Sequence, residues 1–386
     1  MIGFDLSPEQ RALQERARQF AREVILPVAD RHDREGTFPL DVMEKAHQEG
    51  YLTPLVPKEY GGVGLGVLDN CIIAEELAAG CMGIYVSIFV STLALYPIIR
   101  FGTADQKERF LRPFCSKFSL ASYCLSEFTV GSDPASMRTT AVLDGDHYLL
   151  NGTKMWITNG GYADFYLVFA TMDPEKRHKG IICLIVPSHL EGVSHGEPID
   201  KMGQRASNTT AVVFKNVRVP KENLLGGEEE GFKKAMAALD ITRPMIAMGA
   251  VGVARSAMEL ATRYAKKRIQ FGVPIAQHQA IQFLLADMAK DIEAARLLVY
   301  KAAWLADQGI RNTKEAAIAK AFAADVAMKV TTDAVQIYGG MGYTKWHPVE
   351  KLMRDAKVIQ IYEGTAQIMR LIIARQMLQE TGSTLF

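Results

Sequence analysis

Cysteine and clustered metal ligands are scarce in this sequence. Its 386 residues include five cysteines, an odd number with no CxxC pair, and eight scattered histidines without an HExxH motif. Secreted disulfide scaffolds and zinc sites both depend on closely patterned cysteine or histidine. We therefore expect reduced core thiols, no metal site and a cytoplasmic location, or the mitochondrial matrix if the chain is a processed eukaryotic one.

An excess of charge of either sign is also lacking. Lys and Arg number 44 against 43 Asp and Glu, so the formal net charge is +1, and no basic or acidic block stands out. Nucleic acids and anionic membranes attract basic surfaces, so we expect neither as a partner. The first ten residues, MIGFDLSPEQ, show no signal peptide, and no run of about 18 apolar residues indicates a membrane span.

A dinucleotide-binding fingerprint is the third absence. The glycine-rich stretch YGGVGLG at 60–66 does not have the GxGxxG spacing, and no predicted strand precedes it. A Rossmann fingerprint needs both features. We interpret this stretch as a plain loop.

The pattern of apolar residues divides the chain into helical, β and helical parts. Near the N-terminus, Ser7-Pro8-Glu9-Gln10 combines an N-cap serine, a proline at the first helical position and a glutamine three residues after the cap. Four long amphipathic helices in the last part favour a bundle. The predicted helices are 8–32, 40–49, 69–80, 82–101, 104–117, 230–266, 276–308, 313–341 and 365–380.

The middle part has the signals of short strands. Asp144-Gly145-Asp146 separates two apolar runs, as in a β-hairpin. Further strands are predicted at 165–172, 180–188 and 209–220. Several short strands with turns between them favour a barrel or a sandwich.

Four local motifs have two interpretations each. Trp156, in KMWITNGG, either packs in the core at a strand end or offers a stacking surface to a flat ligand. Arg268 either is a solvated arginine at a helix end or binds phosphate, whose oxygens suit the guanidinium geometry. Gly339-Gly340 either caps a helix or lets the backbone approach a ligand closely. Gly131-Ser132-Asp133 either forms a turn or offers hydrogen-bond donors.

A single carboxylate lies in an apolar run near the C-terminus. In VIQIYEGTAQIMRLI, Glu363 is followed by Gly364 and flanked by isoleucine, tyrosine and leucine. A buried carboxylate without a partner is costly, so it neutralises, pairs or is retained for a task. The alternative to a functional role is a salt-bridged glutamate at the start of a helix.

Seven motifs, in this order and spacing, resemble the acyl-CoA dehydrogenase family. They extend over essentially the whole chain, and the C-terminal half is most similar to the short- and medium-chain, straight-chain members. The motifs are SEFTVGSDPASMRTTA, MWITNGG, KMGQRASNT, GFKKAMAALDITRP, RIQFGVPIAQHQAIQFLLADMA, AVQIYGGMGY and KLMRDAKVIQIYEGT.

The resemblance implies a mainly α fold with a β-barrel middle domain. The domains would be an N-terminal helical domain over 1–118, a β-barrel over 119–227 and a C-terminal four-helix bundle over 228–386. It also implies a homotetramer with noncovalent FAD bound partly across a subunit interface. The absence of a Rossmann fingerprint agrees with this mode of binding.

The reaction implied by the resemblance converts an acyl-CoA to the 2-enoyl-CoA. Glu363 would remove the α-proton, while its own backbone N–H and a flavin ribityl hydroxyl would hold the thioester oxygen. The hydride from Cβ would go to flavin N5, and the electrons would pass to electron transfer flavoprotein.

The resemblance also implies two sets of binding residues. Arg268, Phe271 and Gln279 would reach the cofactor of a neighbouring subunit. The full cofactor set is Tyr123, Leu125, Ser126, Ser132, Trp156, Thr158, Arg268, Phe271, His278, Gln279, Gln336, Gly339, Gly340, Thr365 and Gln367. The acyl-CoA set is Ser132, Asp240, Arg243, Tyr362 and Gly364.

Three departures from the family pattern bear on the substrate. Phe128-Thr129-Val130 replace the usual proline and small residues, which leaves the shape of the substrate open. Thr242 lies where isovaleryl- and long-chain members carry the base. Ile84 aligns with the arginine that holds the distal carboxylate in glutaryl-CoA enzymes, and residues 82–99 contain no arginine, so a dicarboxylic substrate is not expected.

We predict FAD-dependent dehydrogenation of a short- to medium-chain or otherwise uncharged acyl-CoA, branched and alicyclic groups included, as in fatty acid β-oxidation. The alternatives on the same fold are an acyl-CoA oxidase, an enoyl-CoA reductase and a flavin monooxygenase. Glu363 argues against a monooxygenase, which does not need this base. The joint presence of Trp156, Thr158, Arg268 and Glu363 argues against a noncatalytic helical scaffold.

Overall fold

The N-terminal part is helical, as predicted. The structure is a computed structural model and describes residues 5–380. The Gln10 backbone N–H donates to the Ser7 hydroxyl at 3.2 Å and the Ser7 N–H donates to the Gln10 side chain at 3.1 Å, so the predicted capping pair begins the first helix. The helices are α1 (Pro8–Phe20, continued by a π-turn at Ala21–Ile25), α2 (Leu26–Glu35), α3 (Leu40–Gln48), α4 (Val67–Gly80), α5 (Met82–Phe101) and α6 (Ala104–Ser116).

The glycine-rich stretch 60–66 is a loop before α4, which confirms its interpretation. Gly61 and Gly64 both have positive φ, a conformation that glycine adopts without steric cost.

Two helices of the described chain are long and apolar enough to cross a membrane by length and composition. They are α5 and the later helix α7 (Gly231–Lys267), and both are mostly buried inside the protein. The expectation from sequence that no such run occurs is therefore too strict. Both helices pack into the main core, which accounts for their apolar composition.

The middle part is a curled seven-stranded sheet, which confirms the predicted β domain. The strands are β1 (Ala121–Cys124), β2 (Thr140–Asp144), β3 (His147–Thr158), β4 (Phe165–Thr171), β5 (Ile181–Pro187), β6 (Val193–His195) and β7 (Thr209–Pro220). Their order is β1-β4-β2-β3-β7-β6, with β5 paired to β4. The predicted hairpin joins β2 and β3, and Asp144 pairs with His147 across its turn.

Strands β4 and β5 are buried on both faces. In β4, Phe165, Leu167 and Phe169 belong to the core shared with the helices, while the alternate residues Tyr166 and Val168 belong to the core of the sheet itself. Side chains alternate along a strand, so a strand between two cores reads as one continuous apolar run. This placement packs the sheet directly against the helical parts.

The C-terminal part is a helical bundle, as predicted. Its elements are α7, the short strands β8 (Ile269–Gln270) and β9 (Val273–Pro274), α8 (Gln279–Asp307), α9 (Thr313–Tyr338), α10 (Val349–Lys357) and α11 (Ala366–Glu380). Helix α9 packs against α7, α8 and α11, and α10 is an additional short helix beside them. The turn between α10 and α11 carries Glu363 and contacts α7 and α9.

Candidate active site

The turn that carries Glu363 has an unusual backbone. Residues 361–363 form a turn after a 3₁₀ segment (Val358–Gln360). Glu363 has φ 56° and Gly364 has φ 93°, so both are in the left-handed region. That region is sterically unfavourable for a glutamate and is found mainly where the surroundings enforce it, often at functional sites.

The positive φ of position 364 favours glycine, and a side chain there would also displace the end of the Met369 side chain. A Cβ there would lie 2.5 Å from the Met369 Cε atom, which is too close for carbon atoms. The Gly that follows the base in the predicted motif is therefore explained by the turn itself.

Donors from three separate segments of the chain hold this turn. The Arg243 Nε donates to the Glu363 carbonyl at 3.2 Å, and the Lys320 Nζ donates to the Gly364 carbonyl at 2.5 Å. The Gln204 Nε2 donates to the Tyr362 hydroxyl at 3.2 Å. Since α7, α9 and the β domain each supply one donor, the turn is fixed from several sides.

The Glu363 carboxylate is half-buried between α7 and α9. The Thr242 Oγ1 lies 3.4 Å from each of its oxygens. Burial raises the pKa of Glu363 to about 7, and the Arg243 and Lys320 cations and the Thr242 hydroxyl oppose that rise. A carboxyl with a pKa near neutrality is suited to proton transfer.

The backbone N–H of Glu363 is free to bind a ligand. Within residues 5–380, no protein acceptor receives a hydrogen bond from it. The peptide planes on its C-terminal side are held through their carbonyls, so the local backbone has a defined orientation. A defined N–H beside a base is one of the elements that stabilise charge on a substrate oxygen.

Pro244 interrupts the hydrogen bonding of α7 next to Asp240 and Arg243. Pro244 has no N–H and leaves the carbonyl of Asp240 without its helical donor. The Asn312 Nδ2 donates to that carbonyl at 3.0 Å. The Asp240 carboxylate in turn accepts from the Thr313 hydroxyl at 2.6 Å and from the buried Arg243 guanidinium at 3.3 Å.

A second group of predicted residues lies on the segment after β1 and on a bulge of β3. The register of β3 against β7 shifts between Lys154 and Ile157, and within this bulge Trp156 has φ 65°. A bulge re-aims side chains, and the indole is 52% exposed. The alternative of Trp156 packed in the core is therefore wrong.

A buried ion pair fixes the loop beside this tryptophan. The Lys154 Nζ donates to the Glu127 carboxylate at 2.9 Å and to the Leu125 carbonyl at 3.1 Å. The Met155 N–H donates to the Ser126 carbonyl at 2.9 Å. These contacts hold the segment after β1, with Leu125 and Ser126, against the β3 bulge that carries Trp156.

A third group lies on an exposed hairpin after α7. Arg268 ends α7 and is exposed, and Phe271 is at the tip of the β8–β9 hairpin with φ 53° and 93% exposure. Within the described part of the chain, the Phe271 ring packs against one other ring, that of His278. The two rings are T-shaped, with centroids 5.8 Å apart. Gln279 begins α8 and is also exposed.

Family profiles match almost the whole chain. Those for the acyl-CoA dehydrogenase N-terminal, middle and C-terminal domains match residues 7–117, 122–217 and 229–378. The chain belongs to the acyl-CoA dehydrogenase family. A curated relative named acyl-CoA dehydrogenase, from Bacillus subtilis (strain 168), is 44% identical over 378 residues, covering 97% of this chain and 100% of the relative.

Solved structures of acyl-CoA dehydrogenase relatives have the same fold. Butyryl-CoA dehydrogenase from Megasphaera elsdenii is 40% identical, with a TM-score of 0.95 over 98% of this chain and 100% of that chain. A chain from structural work on the electron transferring flavoprotein of Acidaminococcus fermentans and flavin-based electron bifurcation is 43% identical. Its TM-score is 0.96, over 98% of this chain and 100% of that chain.

The prediction of FAD as the cofactor of this acyl-CoA dehydrogenase is confirmed. Its family neighbours are FAD-dependent, and one solved structure, PigA with FAD and proline, is 27% identical with a TM-score of 0.94 over 98% of this chain. The residues present fit such a group, because an exposed indole offers a flat apolar face and an exposed arginine suits phosphate.

The remaining predicted cofactor residues differ in what they can offer. Tyr123 is buried and donates its hydroxyl to the Ala235 carbonyl at 3.3 Å, so its side chain is already engaged within the protein. The Thr365 hydroxyl accepts from the Ile368 N–H at 3.1 Å and caps α11. Thr158 is half-buried, while exposed positions are occupied by Ser132, Gln336, Gly339, Gly340 and Gln367.

Lys320, like Gln204, is a residue of the site that the sequence predictions did not include. Lys320 lies in α9, 44 positions before the Gly364 carbonyl that it contacts, and its side chain is completely buried. A signal was present: the positions one helical turn before and after this lysine are all alanine, at 316, 317, 323 and 324. A cation at the centre of an apolar helical face indicates a buried partner.

Proposed function

We propose that this chain catalyses the FAD-dependent α,β-dehydrogenation of a short- to medium-chain or otherwise uncharged acyl-CoA to the 2-enoyl-CoA. The observation that carries the proposal is the Glu363 carboxylate, held on a strained turn with a pKa raised to about 7. The fixed turn presents a base and a free N–H side by side, which is what proton removal next to a thioester requires.

In this mechanism Glu363 takes the proton from the substrate Cα. Its backbone N–H donates to the thioester oxygen and stabilises the charge that develops there. Bound FAD supplies, at N5, the acceptor for the hydride that leaves Cβ. The proton remains on the Glu363 carboxyl, whose pKa near neutrality allows its later release.

The apolar helix α5 supports the proposed class of substrate. Ile84 is completely buried, and residues 82–99 contain no arginine to pair with a distal carboxylate. An unpaired carboxylate in such surroundings is costly. Phe128, in the departure from the family motif, is 78% exposed.

Partners and assembly remain part of the proposal. The similarity to a chain from structural work on an electron transferring flavoprotein supports that protein as the electron acceptor. The exposed hairpin with Phe271 at its tip supports a homotetramer in which cofactor sites are shared between subunits. We retain the three domains 1–118, 119–227 and 228–386 and a cytoplasmic location, or the mitochondrial matrix for a processed eukaryotic chain.

The test is anaerobic reduction of the bound flavin by a panel of acyl-CoAs. Neutral chains from butyryl to octanoyl, with branched and alicyclic analogues, are mixed with the purified flavoprotein, and loss of flavin absorbance is followed. We expect rapid bleaching by at least one neutral acyl-CoA and a far lower kcat/KM for glutaryl-CoA. No bleaching by any member would refute the proposal, and equal values for glutaryl-CoA and a neutral chain of similar length would refute the assigned substrate class.

Further experiments on the same purified flavoprotein distinguish a dehydrogenase from the alternative enzymes on this fold. An acyl-CoA oxidase would be reoxidised rapidly by oxygen, whereas a dehydrogenase would need electron transfer flavoprotein. An enoyl-CoA reductase would favour the saturated product when supplied with reduced partner. A monooxygenase would not depend on Glu363.

A further inference from the structure

Lys320 occupies a place that a lysine rarely takes. Its side chain is completely buried in α9, and the neighbouring positions one turn away are buried alanines, namely Ala316, Ala317, Ala323 and Ala324. Removing an ammonium group from water is costly unless hydrogen bonds and an opposite charge compensate. The compensation should therefore be visible around its Nζ atom.

The Nζ atom points at the turn that carries the proposed base. It donates to the Gly364 carbonyl at 2.5 Å. Burial lowers the pKa of Lys320 to about 8, while the Glu363 carboxylate raises it and Arg243 lowers it further. The ammonium group thus lies in the field of the carboxylate.

Two cations hold two consecutive carbonyls of this turn. Arg243 binds the carbonyl of Glu363 from α7, and Lys320 binds the carbonyl of Gly364 from α9. Each carbonyl fixes the peptide plane that follows its residue. Arg243 also pairs with Asp240, whereas no carboxylate forms an ion pair with Lys320 among the described residues. Of the two carboxylates that act electrostatically on Lys320, Glu363 and Asp325, Glu363 has the larger effect.

We propose that Lys320 is a positioning residue, which orients the Glu363–Gly364 turn through the Gly364 carbonyl and favours the ionised form of the Glu363 carboxylate. This inference rests on the proposed role of Glu363 as the base. Lys320 itself does not contact the substrate in this scheme.

Other groups around Glu363 define what the lysine adds. The titratable and charged residues that interact electrostatically with the carboxylate are Arg243 from α7, Lys320 from α9, Tyr85 from α5, Tyr123 from β1 and Tyr362 from its own turn. The tyrosines have pKa values raised by burial and stay neutral. Arg243 and Lys320 are therefore the two cations that favour the ionised carboxylate.

The test is the pH profile of flavin reduction in Lys320→Met, measured by stopped flow with a neutral acyl-CoA that reduces the wild-type protein. Methionine keeps the length and packing of the side chain but removes the charge and the donor. Loss of the cation should raise the pKa of Glu363. Because the base must be ionised to act, the reduction rate falls as the pH drops below that pKa. This acidic limb of the pH–rate profile should therefore move to higher pH by about one unit. The reduction rate at pH 6 should fall about tenfold more than the rate at pH 9, as that shift of the limb requires.

Two further variants separate charge from hydrogen bonding. Lys320→Gln retains an amide donor without the charge and should show the same shift of the limb. Lys320→Arg retains the charge and should leave the limb near that of the wild type. If Lys320→Met does not retain FAD, the comparison of Lys320→Gln with Lys320→Arg decides the question in the same way.

Lys329→Met is the matched control on the same helix. Lys329 is half-exposed and pairs with Asp291 at 2.8 Å, so its loss should leave the pH profile unchanged. An unshifted limb in Lys320→Met or Lys320→Gln, with FAD bound and Lys329→Met normal, would overturn the inference. Failure of the wild-type protein to be reduced by any acyl-CoA would instead refute the proposed function, so the two failures are distinguishable.

Discussion

Glu363 and Phe271 have the same unusual backbone in opposite surroundings. Both are non-glycine residues in the left-handed region, with φ 56° and 53°. Glu363 lies on a turn held by Arg243 and Lys320. Phe271 is 93% exposed at the tip of a hairpin, and within residues 5–380 its ring packs against one other ring, that of His278.

We infer from this difference that one chain by itself completes the Glu363 part of the proposed site. A strained conformation persists when contacts over-determine it, and at Glu363 the chain supplies those contacts itself. At Phe271 it supplies few, and an exposed aromatic ring gains no stabilisation from burial. We infer that the residues around Glu363 come from one subunit, and we propose that the β8–β9 hairpin contacts a neighbouring subunit and its cofactor.

The largest effect should come from Glu363→Gln. The amide has nearly the size of the carboxylate and leaves the backbone N–H in place, but it cannot accept a proton. Flavin reduction by a neutral acyl-CoA should slow by roughly 10²–10⁴-fold, the usual contribution of a general base. Stopped-flow reduction is the measurement, and FAD and acyl-CoA should still bind.

A second substitution sharpens this test. Because the Thr242 Oγ1 lies 3.4 Å from both carboxylate oxygens, a carboxylate introduced there reaches the same region. We expect Glu363→Gln with Thr242→Glu to recover part of the lost rate. A wild-type rate in Glu363→Gln alone would mean that the base lies elsewhere.

The two regions also differ in how far the sequence predicts them. The capping pair of α1 and the turn between β2 and β3 are local and are predicted, whereas the β8–β9 hairpin is local but no strand is predicted there. The hydrogen bond from Lys320 to Gly364 joins residues 44 positions apart and depends on how α9 packs. The exposure of Trp156 depends on a bulge in the pairing of β3 with β7, which residue periodicity does not reveal.

Strand β1 shows the same limit. It pairs in parallel with β4, and Ala121 aligns with Phe165. A pairing across so many residues leaves no local turn signal, so periodicity alone does not predict a strand in the stretch that includes Tyr123. Strands β4 and β5 are predictable because burial on both faces produces long apolar runs.

A smaller effect should follow from Arg268→Ala, which tests the hairpin side of the comparison. Arg268 is exposed in the single chain, so its removal should cost little folding stability. If it contacts a phosphate of FAD in a neighbouring subunit, its loss should weaken FAD binding by about 1.5–3 kcal/mol, as for a hydrogen bond to a charged group. Equilibrium dialysis measures the affinity.

The matched control is Arg218→Ala, another exposed arginine, which pairs with Asp144 on the β domain. We expect its FAD affinity to equal that of the wild type. An unchanged affinity in Arg268→Ala would remove this residue from the cofactor site and weaken the case for a shared one.

The smallest effect should come from Thr242→Val, which probes the Glu363 side without removing a charge. The Thr242 hydroxyl has one proton, and that proton is shared between the Ala238 carbonyl at 3.1 Å and two carboxylate oxygens at 3.4 Å. Its bond to the carboxylate is therefore weak, and it lowers the pKa of Glu363 less than the two cations do. Valine keeps the shape of this buried side chain, so the pKa should rise slightly and the acidic limb of the pH profile should move upward.

The direction and size of this change show whether the Thr242 hydroxyl affects the ionisation of Glu363. A weak hydrogen bond contributes about 0.5 kcal/mol, so flavin reduction below pH 7 should slow by about two- to threefold and should approach the wild-type rate at high pH. Thr331→Val is the matched control, because Thr331 is equally buried and donates to the carbonyl four residues earlier at 2.7 Å, away from Glu363. If Thr242→Val slows reduction equally at all pH values, the hydroxyl acts on the packing of α7 and the ionisation of Glu363 does not depend on it.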